Sequence, residues 1–106
     1  MSTVDDVRRI ALALPEVFEA PHFDKTAFRV GKKTFAIGDA RRNRATLKLA
    51  PDHQRMLFEV RPDAFSPSVW GKLVWTFVEL SVVEPDYLEG LLRRAWEQVA
   101  PKRLAK

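Results

Sequence analysis

Residues 28–49 decide the fold, and they read FRVGKKTFAIGDARRNRATLKL. Apolar side chains recur at every second position in three short runs, at residues 28–30, 35–37 and 47–49. This period of two predicts three strands, because successive side chains of a strand point to opposite faces of a sheet. A tight turn at residues 31–33 and a longer basic turn over residues 38–44 join them as antiparallel hairpins.

The same alternation predicts which side chains lie on each face of this sheet. The apolar set is expected to face the helices, and it comprises Phe28, Val30, Phe35, Ile37, Leu47 and Leu49. The opposite face then carries Arg29, Thr34, Ala36, Thr46 and Lys48. One face of the sheet is therefore predicted to be exposed and partly basic.

Three helices are predicted around these strands from apolar residues spaced three and four apart. The first follows a Thr3 cap and stops at Pro15, the second runs from Pro51 to before Pro62, and the third opens at Pro85. Their expected buried positions are Val4, Val7, Ile10, Ala11 and Leu14, then Met56, Leu57 and Val60, then Leu88, Leu91, Leu92, Ala95, Trp96 and Val99.

Further strands complete the prediction. Residues 17–23 can add a preliminary strand that Pro21 confines to an edge, residues 62–71 read as a loop, and residues 73–82 read as a strand with apolar side chains on both faces. On that strand Trp75 and Phe77 share one side, while Val74, Val78 and Leu80 share the other. The prediction is a single α+β domain over residues 1–106, a two-layer sandwich with an antiparallel sheet, helices on one face, and the order α-β-β-β-α-β(β)-α.

Composition excludes several classes of protein. The chain has 106 residues and no cysteine, so disulfides, thiol catalysis, iron–sulfur clusters and cysteine-bound zinc are ruled out. No apolar run approaches the roughly 18 residues of a membrane span, and the acidic N-terminus does not resemble a signal peptide, so a cytoplasmic protein is expected.

Candidate catalytic and metal-binding residues are sparse. His22 and His53 are two scattered imidazoles, whereas a metal site needs three or four converging ligands. Ser66 and Ser68 lack a nucleophile motif, and the four glycines match no phosphate-binding loop. The expectation is a protein that is not an enzyme and has no cofactor or metal.

Positive charge is concentrated in the middle of the chain. The formal net charge is +4, but residues 29–61 alone hold nine Lys and Arg against three Asp and Glu, a balance of +6. Two interpretations stay open: these cations attract an anionic partner, or they keep a small domain soluble and its strand edges unpaired. Trp70 and Trp75 are likewise candidates for base stacking, for core packing, or for a dimer interface.

The stretch from His22 to Ala36, HFDKTAFRVGKKTFA, resembles the HFxKxAFRVxxKxFA motif of the MmcQ/YjbR-like proteins, small bacterial domains commonly described as DNA-binding. Further agreement lies in LKL before Pro51, in PSVWG at residues 67–71, and in AW at residues 95–96 followed by VAPKRL at residues 99–104. One departure is Val74, where relatives often carry glycine before the next tryptophan.

This resemblance implies a CyaY-like or secretion-chaperone-like two-layer fold and a "double wing" mode of DNA binding, in which the wings are the hairpins at residues 31–33 and 39–44. Together with the basic charge of these hairpins, it leads to the hypothesis of weak, largely sequence-independent DNA binding. The predicted DNA-binding residues are Arg29, Lys32, Lys33, Arg41, Arg42, Arg44, Lys48, Trp70 and Lys72. Iron binding is not carried over, because Asp5 and Asp6 are the only adjacent acids of the first helix. The alternatives are a protein-interaction or homodimerisation module that uses the outer sheet face, and a small-ligand-binding protein.

Overall fold

The structure, a computed structural model, describes residues 1–67 and 75–102. Three helices, α1 (Val4–Leu12), α2 (Pro51–Val60) and α3 (Pro85–Glu97), accompany six strands. The strands are β1 (Val17–His22), β2 (Lys25–Val30), β3 (Lys33–Asp39), β4 (Arg44–Lys48), β5 (Phe65–Pro67) and β6 (Trp75–Glu79). They form one antiparallel sheet in the order β1-β2-β3-β4-β6-β5, which confirms the α+β prediction.

The core lies between the sheet and the helices. Trp96 of α3 is its largest fully buried side chain, and the Trp96 indole N–H donates a hydrogen bond to the Pro15 carbonyl at 3.1 Å. This bond satisfies the polar atom of a buried aromatic residue and ties α3 to the segment after α1. The expected apolar positions of α3 and of its C-terminal extension are all buried, from Leu88 to Val99.

The start of α1 is fixed by a reciprocal cap. The Thr3 hydroxyl accepts from the Asp6 backbone N–H, and the Asp6 carboxylate accepts from the Thr3 backbone N–H at 2.9 Å. Two backbone donors that have no partner within the helix are satisfied in this way. The predicted Thr3 cap is confirmed, and the helix ends at Leu12, before Pro15.

The ends of the sheet differ in part from the prediction. β1 is an edge strand, as predicted, but residues 65–67 pair with β6 as strand β5 instead of belonging to a loop. β6 ends at Glu79, and a 3-10 turn follows over Leu80–Val82, where the Ser2 backbone N–H donates to the Leu80 carbonyl at 2.9 Å and the Ser2 hydroxyl donates to the Val83 carbonyl at 2.7 Å. Residues 68–71 of the predicted loop and residues 73–74 of the predicted strand lie outside the described residues.

Strand β3 breaks the simple alternation at Phe35. Phe28 of β2 pairs with Ala36, whereas the next residue, Arg29, pairs with Thr34, so Phe35 is an extra residue in β3. Such an irregularity shifts the faces by one position. Phe35 and Ala36 are both buried, and Ile37 lies on the face away from the helices. The predicted faces of Ala36 and Ile37 are therefore wrong.

Helix α2 begins at Pro51 as predicted but is rotated relative to the prediction. Leu57 is buried, whereas Met56 and Val60 are exposed. The rotation places the Gln54 amide against the buried Thr76 hydroxyl, to which it donates at 2.7 Å. This bond satisfies a buried hydroxyl, while Met56 and Val60 lie on the exposed side of the helix.

Two glycines give a test of these local conformations, because an added Cβ at either one meets no atom within 4 Å. We expect Gly90→Ala, within α3, to raise the free energy of unfolding by about 0.5–1 kcal/mol, because alanine has less backbone freedom to lose. Gly31 has φ +61°, so Gly31→Ala is expected to lower the free energy of unfolding by about 1 kcal/mol or more. Urea unfolding measures both, and a destabilised Gly90→Ala variant contradicts this account of α3.

Candidate functional site

The candidate site lies on the sheet face opposite the helices, which we call the outer face. Strand register places its side chains in rows across the sheet. Ile37, Thr46 and Phe77 form one row, and Lys48 lies directly opposite Trp75. The prediction that Trp75 and Phe77 share one side of their strand is thereby confirmed, and that side is the outer face.

A concave cavity of about 710 Å³ opens on this face, and we call it the outer groove. Its volume is within the range of small-molecule binding sites. The groove is lined by residues from five strands and two turns: His22, Phe23, Lys25, Thr34, Ile37, Asp39, Arg42, Arg44, Thr46, Trp75 and Phe77. The lining therefore combines aromatic rings with cations.

One cation–ring pair and one pair of rings give the groove its chemical character. The Arg44 guanidinium lies 3.9 Å from the centre of the Phe77 ring, in cation–π geometry. The rings of His22 and Phe23 meet edge to face, with their centres 5.1 Å apart. Flat π surfaces and a planar cation are thus held within one cavity.

Phe23 is in an unusual position at the turn between β1 and β2. Its φ is +59°, in the left-handed region that bulky residues rarely adopt, and its side chain is 92% exposed. Neither local conformation nor core packing accounts for a phenylalanine here. Backbone strain of this kind is characteristic of functional positions.

Asp39 organises the basic turn between β3 and β4. Although only 4% exposed, it accepts hydrogen bonds from the Arg42 backbone at 3.4 Å and from the Arg42 guanidinium at 3.0 Å. Burial raises the pKa of Asp39, but the bonds from Arg42 outweigh burial, so its pKa lies below the ordinary value. The turn is therefore held by an ionised, buried carboxylate.

The two predicted wings lie at opposite ends of the sheet. Lys32 and Lys33 are exposed at one end, and the turn that carries Arg41 and Arg42 lies at the other end, since both turns are joined by β3. The seven residues of β3 span about 23 Å at roughly 3.3 Å each. Any partner that touches both wings must therefore cross the whole outer face.

The remaining predicted binding residues are placed as follows. Arg44 and Lys48 are half-buried on the outer face. Arg29 is also on this face, but it donates to the Lys32 carbonyl at 2.8 Å, and its buried Nε has no partner among the described residues. Trp70 and Lys72 lie outside the described residues.

Charge is divided between the two layers of the molecule. The helices and the remaining described segments carry seven cationic side chains and eleven carboxylates, a balance of −4. The outer face and the turns from β1 to β4 carry eight cationic side chains and three carboxylates, a balance of +5. The eight are Lys25, Arg29, Lys32, Lys33, Arg41, Arg42, Arg44 and Lys48, and the three are Asp24, Asp39 and Glu79.

The two histidines considered as catalytic or metal-binding residues lie in different parts of the structure. His22 lines the outer groove, while His53 lies on α2, where burial and the nearby Arg94 lower its pKa. Across residues 1–67 and 75–102, no three His, Asp or Glu side chains come together to hold a metal ion. In the same part of the chain, no helix is long and apolar enough to cross a bilayer.

Four residues that line the groove are not predicted from the sequence: Phe23, Lys25, Asp39 and Ile37. Phe23 and Lys25 belong to the HFDK segment of the family motif, and Asp39 belongs to the basic turn. The available signal is a bulky aromatic residue next to aspartate between two short strands, which is unusual composition for a hairpin turn. Ile37 was missed because the register shift at Phe35 has no clear sequence signature.

Fold and site together define a two-layer α+β domain whose exposed sheet face is basic and aromatic. The family model described as YjbR matches residues 12–98, so the chain belongs to the YjbR family. The crystal structure of Deinococcus radiodurans protein DR2400, which has a DUF419 domain, is similar, with a TM-score of 0.84 and 29% identity over 100% of this chain and 84% of that chain. A search of curated proteins found no match.

The buried carboxylate of the basic turn makes a prediction about pH. A lowered folded-state pKa means that ionised Asp39 stabilises the fold above about pH 4, and that this contribution disappears as the pH falls through the folded-state pKa. The free energy of unfolding of the Asp39→Asn variant is therefore expected to fall less steeply on acidification than that of the wild type. Urea unfolding between about pH 6 and about pH 2 compares the two. Parallel curves would show that Arg42 does not hold Asp39 ionised.

Backbone strain at Phe23 makes a second prediction. Phe23→Gly is expected to raise the free energy of unfolding by about 1 kcal/mol, because glycine adopts a positive φ without steric cost. Phe18 provides the control, since it is a partly exposed phenylalanine in the extended strand β1, where glycine is unfavourable. Phe18→Gly is expected to destabilise the protein. If the free energy of unfolding falls by a similar amount in both variants, the backbone at Phe23 is not strained.

Proposed function

We propose that this protein is a non-enzymatic, cytoplasmic DNA-binding protein that contacts phosphates weakly and without sequence preference. The contacts are made by the outer face and by the turns at its two ends. Lysine and arginine supply such affinity because neutralising phosphates releases the counterions condensed on the nucleic acid. Phosphate contacts of this kind orient a protein without reading sequence.

The observation that carries this proposal is the separation of charge between the layers, +5 on the outer face with its turns and −4 on the described remainder. An anionic polymer is attracted to one layer and repelled by the other. The same separation of charge orients the protein as it approaches a nucleic acid, because the acidic helical layer is repelled by the phosphates. Net charge alone, at +4, does not provide this orientation.

Protection of strand edges does not account for these cations. The described edge strands β1, VFEAPH, and β5, FSP, contain no lysine or arginine. Both contain proline, which by itself interrupts pairing with another chain. The strand cations instead lie on β2, β3 and β4, which have neighbours on both sides.

Existing ion pairs leave the basic turns free to bind. Arg41 lies 3.6 Å from Asp24, and both groups are solvent-exposed. Exposed pairs of this kind contribute about 0–1 kcal/mol, so a phosphate can replace the carboxylate at little cost. Arg42 keeps more than half of its side chain exposed while it bonds to Asp39. Arg29 is committed to the Lys32 carbonyl, so we assign it to shaping the turn at residues 31–32.

Salt dependence tests the proposal. With about five phosphates engaged, log affinity for a duplex is expected to fall with log salt at a slope near −4.5. Replacing Arg41, Arg42 and Arg44 by Gln removes three of these contacts, so the slope is expected to weaken to about −1.8. Glutamine is chosen because it leaves an amide donor for the buried Asp39. Fluorescence anisotropy of a labelled duplex measures both slopes.

A matched control separates position from net charge. Arg55, Arg93 and Arg94 are exposed on the helical layer, and replacing them by Gln lowers the net charge by the same three units. We expect this variant to keep the slope of the wild type. Equal weakening by both triple variants would show that only net charge matters, and would remove the proposed interface.

A further inference from the structure

The outer groove has features that phosphate binding alone leaves unexplained. Cations are sufficient for phosphate contacts, yet the lining includes the rings of His22, Phe23, Trp75 and Phe77. Phosphates gain little from aromatic rings, whereas every nucleobase has a π face that stacks on them. The lining is therefore complementary to a ligand that is both flat and anionic.

We infer that the outer groove binds unpaired bases of a single-stranded nucleic acid by stacking, while the surrounding cations hold the strand's phosphates. This inference rests on the proposed function and names the form of nucleic acid that the site takes. Bases stack on aromatic side chains and on arginine guanidinium planes, and the groove offers both. The Arg44 guanidinium over the Phe77 ring is such a combined surface.

Phe23 is the residue that this inference explains best. It combines a positive φ with a side chain that is 92% exposed, so it is neither a relaxed turn residue nor a core residue. Its ring lies at the rim of the groove, in edge-to-face contact with His22. The turn thus presents an aromatic face to solvent at the place where a base enters.

Charge complementarity identifies the occupant as a nucleic acid and not as an apolar protein segment. Lys25, Arg42 and Arg44 line the groove, and the only carboxylate in its described lining, Asp39, is neutralised by Arg42. At the far end, Lys48 lies opposite Trp75. Cations accompany rings along the length of the groove, which is the pattern of single-strand binding surfaces.

Aromatic rings in the groove favour an unpaired strand over a duplex. In a duplex each base is covered by its neighbours and only its edges reach the grooves, so its π faces are not available for stacking on protein. A single strand can turn its bases toward the sheet and keep its phosphates at the rim. Duplex binding at the basic turns remains compatible with the proposed function but leaves the groove unused.

The experiment compares three labelled ligands of the same length, about 12 nucleotides: a DNA single strand, its duplex, and a single strand in which every base is replaced by an abasic unit. Fluorescence anisotropy at one salt concentration gives the three affinities. We expect the strand with bases to bind at least about tenfold more tightly than the abasic strand, since each stacked base contributes about 5- to 150-fold.

Phe23→Gly identifies the groove as the stacking site. It is expected to weaken binding of the strand with bases about tenfold and to leave the abasic strand and the duplex unaffected. Because glycine suits the backbone at this position, loss of folding is not the expected cause. The matched control is Phe18→Ala, which removes a phenylalanine that is 46% exposed on the same face but outside the groove, and it is expected to bind like the wild type.

The outcomes distinguish this inference from the proposed function. Equal affinity for the abasic strand and the strand with bases, with steep salt dependence, overturns base stacking and leaves phosphate binding standing. Absence of binding to all three ligands at low salt overturns both. If sedimentation then shows a dimer that Phe23→Gly dissociates, the groove is an interface between copies of the chain.

Discussion

The outer face depends on one irregularity, the extra residue at Phe35 in β3. Because Phe28 pairs with Ala36 and Arg29 with Thr34, two consecutive side chains of β3 enter the core, and every later position changes face. Ile37 therefore forms part of the groove, and Asp39 comes to the outer face, where Arg42 can reach it. With strict alternation from Phe35, both would point toward the helices, and the basic turn would lose the carboxylate that orders it.

Packing and charge cooperate in this arrangement. The three helices bury the apolar side chains on one face of the sheet, and Trp96 and the leucines of α3 fill the core between them. The other face of the sheet therefore does not have to be covered by a second apolar layer. That side can carry cations on its central strands, where their stems lie along the sheet and their charges reach solvent. The acidic helices then give the domain two electrically distinct sides, a consequence of how a two-layer fold sorts residues that are mixed along the chain.

The strained turn at Phe23 and the ordered turn at Asp39 border the same end of the groove. One exposes a ring at the cost of an unfavourable backbone conformation, and the other holds the Arg42 guanidinium by burying a carboxylate. Neither feature is needed to close a hairpin, since glycine or asparagine would close the first turn without strain. Their convergence on one cavity is the reason to treat the outer face as a binding surface within the YjbR family fold.

The sequence by itself determined the α+β class, all three helices, the edge position of β1, and the concentration of cations between residues 29 and 61, because these follow from local periodicity, proline positions and charge. The family motif in residues 22–36 was also recognisable from the sequence alone. Only the tertiary structure decided the faces of Ala36 and Ile37, the rotation of α2 toward Thr76, and the separation of the two basic turns by the length of β3. These depend on strand register and on buried hydrogen bonds between distant residues, which no local pattern encodes.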